Sequence, residues 1–331
     1  MFHSSTQRKF WTFHSEEQLL ILRKDGNQDF ITKHEHRCKS EDPFSYFLTE
    51  AEERLICRHY EHLLRDLCRN FEPPMPSAVM ATACAYLKRF YLQNSVMDHH
   101  PKYIMLTCLY LGCKVEEFNV SIVQFCANVQ DDPERAAEVI LTLELLVMQS
   151  LNFHLTVHNP YRPLEGFIID LKTRYTSLRN PDQLRQGADE FLHRCIATDA
   201  CLLFTPSQIS LAALVTSASK SGINIDSYVT DVLLGPENRT GLRDTVNTIK
   251  RMKCLVKNIE PLNPEIIKKL ERKLEKCRNQ ELNPDSEIYK QKLQAMLDDE
   301  EEAVSMKRDR EAKVCTVQLQ SRCPQCLPPS T

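Results

Sequence analysis

Residues 103–115 read YIMLTCLYLGCKV, in which ten of thirteen are apolar and Lys114 is the only charge. At about 1.5 Å per residue, a helix of this length cannot cross a bilayer core of about 30 Å. A helix that is apolar on every side has to be surrounded by other protein. The chain must therefore wrap further elements around this one. Lys114 is expected to be buried at its end and to need a partner, because an unpaired buried ammonium is costly. Residues 142–148, TLELLVM, pose the same problem with the opposite sign, since Glu144 is their only charge. Upstream, Asp132-Pro133 suits an N-cap followed by the first helical position. Two apolar helices thus carry one lone charge each. An internal salt bridge is one reading, and a pair of charges turned toward a partner is the other.

Glycine is scarce, at seven residues, and strand-like alternation is nearly absent, so the expected class is all-α. A chain of 331 residues can build two cores. The opening FHSSTQRKFWTF lacks an apolar signal core and no apolar run reaches membrane length, so a soluble, non-secreted chain with no membrane contact is expected. A net charge of −3 creates no general attraction for nucleic acid. Most of the fourteen cysteines lie in apolar helical stretches, where the thiol acts as a small hydrophobe and no disulfide framework is expected. Cys323 and Cys326, with Cys315 upstream, lack a second pair at zinc spacing, so no metal site is expected. There is no Gly-rich phosphate loop, no His-Glu-x-x-His and no calcium loop, so neither cofactor nor catalytic constellation is expected.

Helix starts are legible as capping boxes at Ser15–Gln18, Thr49–Glu52, Ser121–Gln124 and Thr205–Gln208. Five helices are predicted between Thr49 and Leu151, with breaks at prolines. After the connector at 159–163, helices are predicted at about 164–175, 182–203, 206–221, 225–234 and 238–259, five again. The segments PSAVMATACAYLKRF and PSQISLAALVTSAS share a Pro-Ser start and small residues where helices must approach closely. These are Ala81, Ala83 and Ala85 in one, and Ala212, Ala213 and Ser217 in the other. The expected architecture is two tandem five-helix domains, at 49–158 and 159–262. A 1–48 extension with an amphipathic helix from Trp11 to about Asp29 would precede them. At 263–331, a helix from Pro264, with Ile267, Leu270, Leu274 and Cys277 on one face, would fold back on a domain or bind a partner. Beyond Asn283, the acidic run at 298–302 and the Pro-rich end suggest disorder.

The stretches ATACAYLKRFYLQNSV (81–96), MLTCLYLGCKVEE (105–117) and ELLVMQSLNFHLTVHNPYRPLEGFIIDLKTRY (144–175) resemble the cyclin family. With WTFHSEEQL (11–19), the likeness covers about residues 7–280 and points to the branch that serves the cyclin-dependent-kinase-activating kinase. The resemblance implies two five-helix boxes and a regulatory, non-catalytic role. The implied partners are a cyclin-dependent kinase catalytic subunit, a RING-finger assembly subunit and general transcription factor IIH, all in the nucleus. The substrates would be activation segments of other cyclin-dependent kinases and the RNA polymerase II C-terminal repeat. It further implies that Lys114 and Glu144 hold kinase backbone groups, while Leu111, Val115, Met148, Phe153 and Leu155 receive the kinase's regulatory helix.

Three departures from the cell-cycle members stand out. Lys88 replaces the usual Asp before Arg89-Phe90, the substrate-docking patch is not matched by Glu53 to Cys57, and no Arg-x-x-Leu occurs in the first seventy residues. A promoter-binding protein like transcription factor IIB, also built from two cyclin folds, is the alternative. It would need basic stripes and an N-terminal zinc ribbon, and neither is visible here. A thiol enzyme has only the cysteine count in its favour.

Overall fold

In the computed structural model, the apolar run at 103–115 is the central rod of a helical ring. The structure describes residues 2–38, 43–129, 132–235, 237, 239–295, 298 and 306. The helices in chain order are α1 (Thr6–Phe10), α2 (Glu16–His34), α3 (Pro43–Tyr46), α4 (Glu50–Asn70), α5 (Ser77–Phe90), α6 (Pro101–Val115), α7 (Ile122–Ala127) and α8 (Pro133–Ser150). They continue with α9 (Tyr161–Arg174), α10 (Arg185–Ile196), α11 (Ala200–Leu203), α12 (Pro206–Lys220), a π-helical turn (Tyr228–Leu233), α13 (Arg239–Lys257) and α14 (Pro264–Cys277). Among the described residues there is no strand, and no helix is long and apolar enough to cross a membrane.

Helix α6 packs against α4, α5 and α8. The α5–α6 contact is close: a Cβ on Gly112 would stand 3.3 Å from that of Ala83. The second half repeats the device between α10 and α12, where a Cβ on Gly187 would lie 2.5 Å from Ser217 Oγ. Ala83 and Ser217 are therefore small because a helix passes over them. Complete capping boxes form at Thr49, Ser121 and Thr205. Ser15 caps α2, but the Gln18 side chain accepts from the His14 amide instead of closing the box.

Several elements differ from their expected form. The N-terminal helix starts at Glu16, because Ser15 caps it there, and Trp11 instead ends α1 and is buried. The segment expected at 182–203 is broken. Thr198 Oγ donates to the Cys195 carbonyl and accepts from the Ala200 amide, so the helix stops and restarts around Asp199. The stretch at 225–234 narrows to the π-helical turn. Helix α14 lays Ile267, Leu270, Leu274 and Cys277 inward and packs on α4, where Lys273 pairs with Glu52 at 2.9 Å. Residues 279–331 form a separate unit. Within it, 287–295 is helical rather than disordered, with Ser286 Oγ accepting from the Tyr289 amide at its start. Cys315, Cys323, Cys326 and residues 299–302 of the acidic run lie outside the described residues.

The buried side chains form two clusters, one centred on α4–α8 and one on α9, α10, α12 and α13. The N-terminal extension serves both. Phe30 and Ile31 join the first, and Trp11 and Leu19 join the second. An ion cluster ties the same three parts together. Asp199 accepts from Arg23 at 2.9 Å and from Arg54 at 3.0 Å, with Lys88 3.9 Å away. Glu61 accepts from Arg54 at 2.9 Å and from Lys88. Burial would push the Asp199 and Glu61 carboxyls up, but the cations outweigh it and hold both below the usual carboxylate range. Lys88, the residue that departs from the cell-cycle pattern, is thus one arm of this cluster.

Replacing Asp199 with Asn strands three cations against one carboxylate. It should cost about 3–5 kcal/mol, read from the midpoint of urea unfolding. A loss below about 1 kcal/mol would mean the cluster behaves as a surface network. Nearby Glu53 behaves in the opposite way. Burial raises its carboxyl from 4.5 to about 7, against hydrogen bonds from Ser95 and Asn27. Its neutral form favours the fold, so stability should fall as pH rises from 4.5 to about 7. Glu53→Gln should flatten that fall, by up to roughly 3 kcal/mol, in unfolding curves taken across this range.

Candidate functional site

Lys114 occupies the last turn of α6, where a cation also suits the helix dipole. The Phe118 amide bonds the Cys113 carbonyl at 2.9 Å and Glu117 takes a left-handed φ of 57°, so the chain turns away at once. This geometry corrects the expectation of burial. Residues through Cys113 are enclosed, but Lys114 emerges past the core's edge with its side chain 44% exposed. Its ammonium meets both Glu144 oxygens, at 2.6 and 2.8 Å, and lies 4.6 Å from the Tyr110 ring centroid. The two lone charges do find each other, and they do so at the surface.

Helix α8 has two faces. Ile140 and Val147 are buried in the first core cluster. Leu141 and Leu145 are more than half exposed and flank Glu144. At spacings of three and four residues, Leu141, Glu144, Leu145 and Met148 share one stripe. Two side chains of that stripe, Leu141 and Leu145, were not singled out from sequence. The run is apolar on all sides, so its pattern does not reveal which face lacks a cover. Val123 on α7, a helix that packs against α8, is exposed as well.

Beyond α8 the chain makes a tight turn. Asn152 and Phe153 both adopt left-handed φ values, 51° and 56°, and the Phe153 amide bonds the Met148 carbonyl at 2.9 Å. Asparagine tolerates this region, whereas for phenylalanine it is strained. The result is a Phe153 side chain held out into solvent at 59% exposure. Val115, Met148 and Leu155 are half-buried against the first cluster. Leu111 is a core residue with only 3% of its surface exposed, so it supports the site from behind. Glu116, beside Lys114, is committed elsewhere: Thr82 donates to it at 2.6 Å, and Asn159 in turn donates to Thr82 at 2.8 Å.

The site thus presents a half-exposed ion pair beside exposed apolar side chains, an arrangement suited to holding polypeptide. Among the described residues no group of His, Cys, Asp or Glu could hold a metal ion. Burial pushes the thiols of Cys84, Cys113 and Cys195 up to about 12, the reverse of an activated nucleophile.

Comparison with known proteins identifies the fold. Residues 28–156 match the cyclin N-terminal domain and residues 159–257 match the cyclin C-terminal domain. The chain is 48% identical to Cyclin-H of Xenopus laevis over 285 residues, covering 85% of this chain and 88% of that one. It is 36% identical to Cyclin-H1-1 of Arabidopsis thaliana, over 70% of this chain and 68% of that one. Among solved structures it resembles a chain of the CAK complex from Chaetomium thermophilum bound to ATP-γ-S. That match has a TM-score of 0.70 and 27% identity, and it covers 100% of this chain and 97% of that one. The promoter-binding alternative gives way to these likenesses.

An exposed ion pair contributes about 0–1 kcal/mol. Lys114→Ala and Glu144→Ala should therefore each leave the melting temperature of the free chain within a few degrees of the unsubstituted value. Calorimetry of the isolated variants checks this, and a drop matching several kcal/mol would mark the pair as a structural bridge.

Proposed function

The chain belongs to the cyclin family, with both cyclin domains in tandem and a likeness to its cyclin H members, and from this premise we propose that it activates a cyclin-dependent kinase. The kinase belongs to the kinase-activating complex. It phosphorylates activation segments of other cyclin-dependent kinases and, within general transcription factor IIH, the RNA polymerase II C-terminal repeat. A RING-finger subunit assists assembly, the complex is nuclear, and the chain itself carries no catalysis. The two-domain organisation at 49–158 and 159–262, with flanking segments, belongs to the same proposal.

One observation carries this reading: Leu141 and Leu145 stand exposed beside Glu144 on α8, the Lys114–Glu144 pair is half-exposed, and Phe153 is exposed just past the end of the same helix. Val115, Met148 and Leu155 continue the stripe toward the core, and Leu111 backs it. The kinase's regulatory helix would lay its apolar face here. Lys114 and Glu144 would then turn to the kinase backbone, the ammonium to carbonyls and the carboxylate to amides. Opening their mutual pair costs at most about 1 kcal/mol. Charge-assisted bonds to the kinase return about 1.5–3 kcal/mol each. The internal and external readings of the pair are therefore compatible: the pair holds both side chains in place until the partner arrives. Activation follows if the stripe binds the active placement of the kinase helix better than the inactive one, since equal affinity would shift nothing.

The decisive experiment adds the purified chain to an isolated kinase subunit and measures phosphorylation of a kinase activation segment. Activity should require both proteins, and phosphorylation by the chain alone would refute a regulatory role. In the same assay, Glu144→Ala, Lys114→Ala and Phe153→Ala should weaken the complex roughly ten- to a hundredfold. The Lys114/Glu144 double variant should lose less than the sum, because the two groups share one network.

A further inference from the structure

The strained turn at 152–155 cannot hold its own shape. A left-handed phenylalanine costs about 1–2 kcal/mol, and such a conformation persists only where its surroundings over-determine it. The surroundings here are specific. Arg89 Nη1, from the buried end of α5, donates to the His154 carbonyl at 3.2 Å. The Tyr86 hydroxyl, one turn earlier, donates to the Leu155 carbonyl. The His154 ring is held from the other side by the N-terminal segment. Trp11 Nε1 donates to His154 Nδ1 at 3.1 Å, and Phe10 stacks on the same ring at 4.9 Å with planes 17° apart. An indole nitrogen only donates, so His154 Nδ1 carries no proton and acts as the acceptor. The Arg89 guanidinium lies 5.2 Å from the Trp11 ring centroid, so both sets of contacts meet. Gln7 fixes the same loop further along, accepting from the His158 amide at 2.6 Å and donating to its carbonyl at 3.4 Å.

We propose that Trp11 and His154, with Arg89 and Tyr86 behind them, are positioning residues that lock the 152–155 turn in the shape that presents Phe153 and Leu155 to the kinase. This rests on the docking surface proposed above. The N-terminal segment then tunes partner binding through the turn. The Trp11 hydrogen bond is the key contact, because it joins an element outside the first helical domain to the turn itself.

The test uses the full chain and three variants. Trp11→Phe keeps an aromatic ring beside Arg89 and removes the N–H donor together with part of the ring's volume. His154→Leu removes the acceptor. His154→Asn places an amide oxygen near the position of Nδ1 and so keeps an acceptor for Trp11. Kinase affinity is measured by titration calorimetry, beside amide hydrogen exchange at 152–155 in the free chain. Trp11→Phe and His154→Leu should each weaken binding roughly three- to tenfold and speed exchange of the turn, mainly through a faster off-rate. The double variant should be no weaker than His154→Leu alone, and His154→Asn should recover most of the affinity. Wild-type affinity in Trp11→Phe and His154→Leu would overturn the inference, and so would His154→Asn binding no better than His154→Leu. A lowered melting temperature with unchanged affinity per folded molecule would reduce the contact to packing and also overturn it. A wild-type chain that binds no kinase would remove the functional reading itself, and this inference with it.

Discussion

Asp199 is the point on which the assembly of the fold turns. It draws Arg23 from α2, Arg54 from α4 and Lys88 from α5 to a carboxylate of the second half. Moving any one of these charges out of water costs several kcal/mol, and only the assembled set repays it. An arrangement lacking one member strands the others, so the cluster selects a single placement of these helices. The local backbone complies. Thr198 interrupts what would otherwise be a continuous helix, and Asp199 enters the cluster from that interruption. The break after Ile196 thus coincides with the point where Asp199 enters the cluster.

The two sets of ion pairs in this chain show how burial decides role. The Lys88 and Glu61 side chains are 0% and 2% exposed, while Lys114 is 44% exposed. The chemical groups are the same. In the first case separation leaves a charge in a low-dielectric interior, and the pair is locked. In the second, Lys114 reaches water once the pair parts, so under the proposed docking a kinase backbone would compete for the pair at low cost.

Much of this was legible in the sequence. The apolar run at 103–115, the capping boxes and the proline breaks fix where α4–α8 begin, because each is a local signal. The small residues that permit close packing, Ala83 and Ser217, were equally visible. What escaped was non-local. Nothing in the string KRF says that Lys88 will meet Glu61 and Asp199. The polar N-terminal segment does not show that Trp11 and Leu19 enter one core cluster while Phe30 enters the other. Lys114 was expected to be buried because it ends an apolar run, and the ten residues before it are indeed buried, but a single turn at Glu117 leaves Lys114 itself outside. Leu141 and Leu145 were hidden by the opposite difficulty. In a helix apolar on all sides, the uncovered stripe is defined only by what the rest of the chain fails to cover.

The exposed Phe153 joins these strands. A large apolar side chain in solvent is unremarked in isolation, but one held outward by an unfavourable backbone has a cost that the fold meets elsewhere. The hydrogen bonds that meet it come from α5 and the N-terminal segment, which are parts of the core and not of the docking surface. Binding a partner ordinarily consumes free energy to order side chains and loops at the interface. Here that ordering is done during folding, by contacts already assembled around Arg89. The scaffold's stability is thus converted into a preorganised surface. The same buried interactions that make the two-domain fold unique would also set how much of the interface energy remains for the proposed partner.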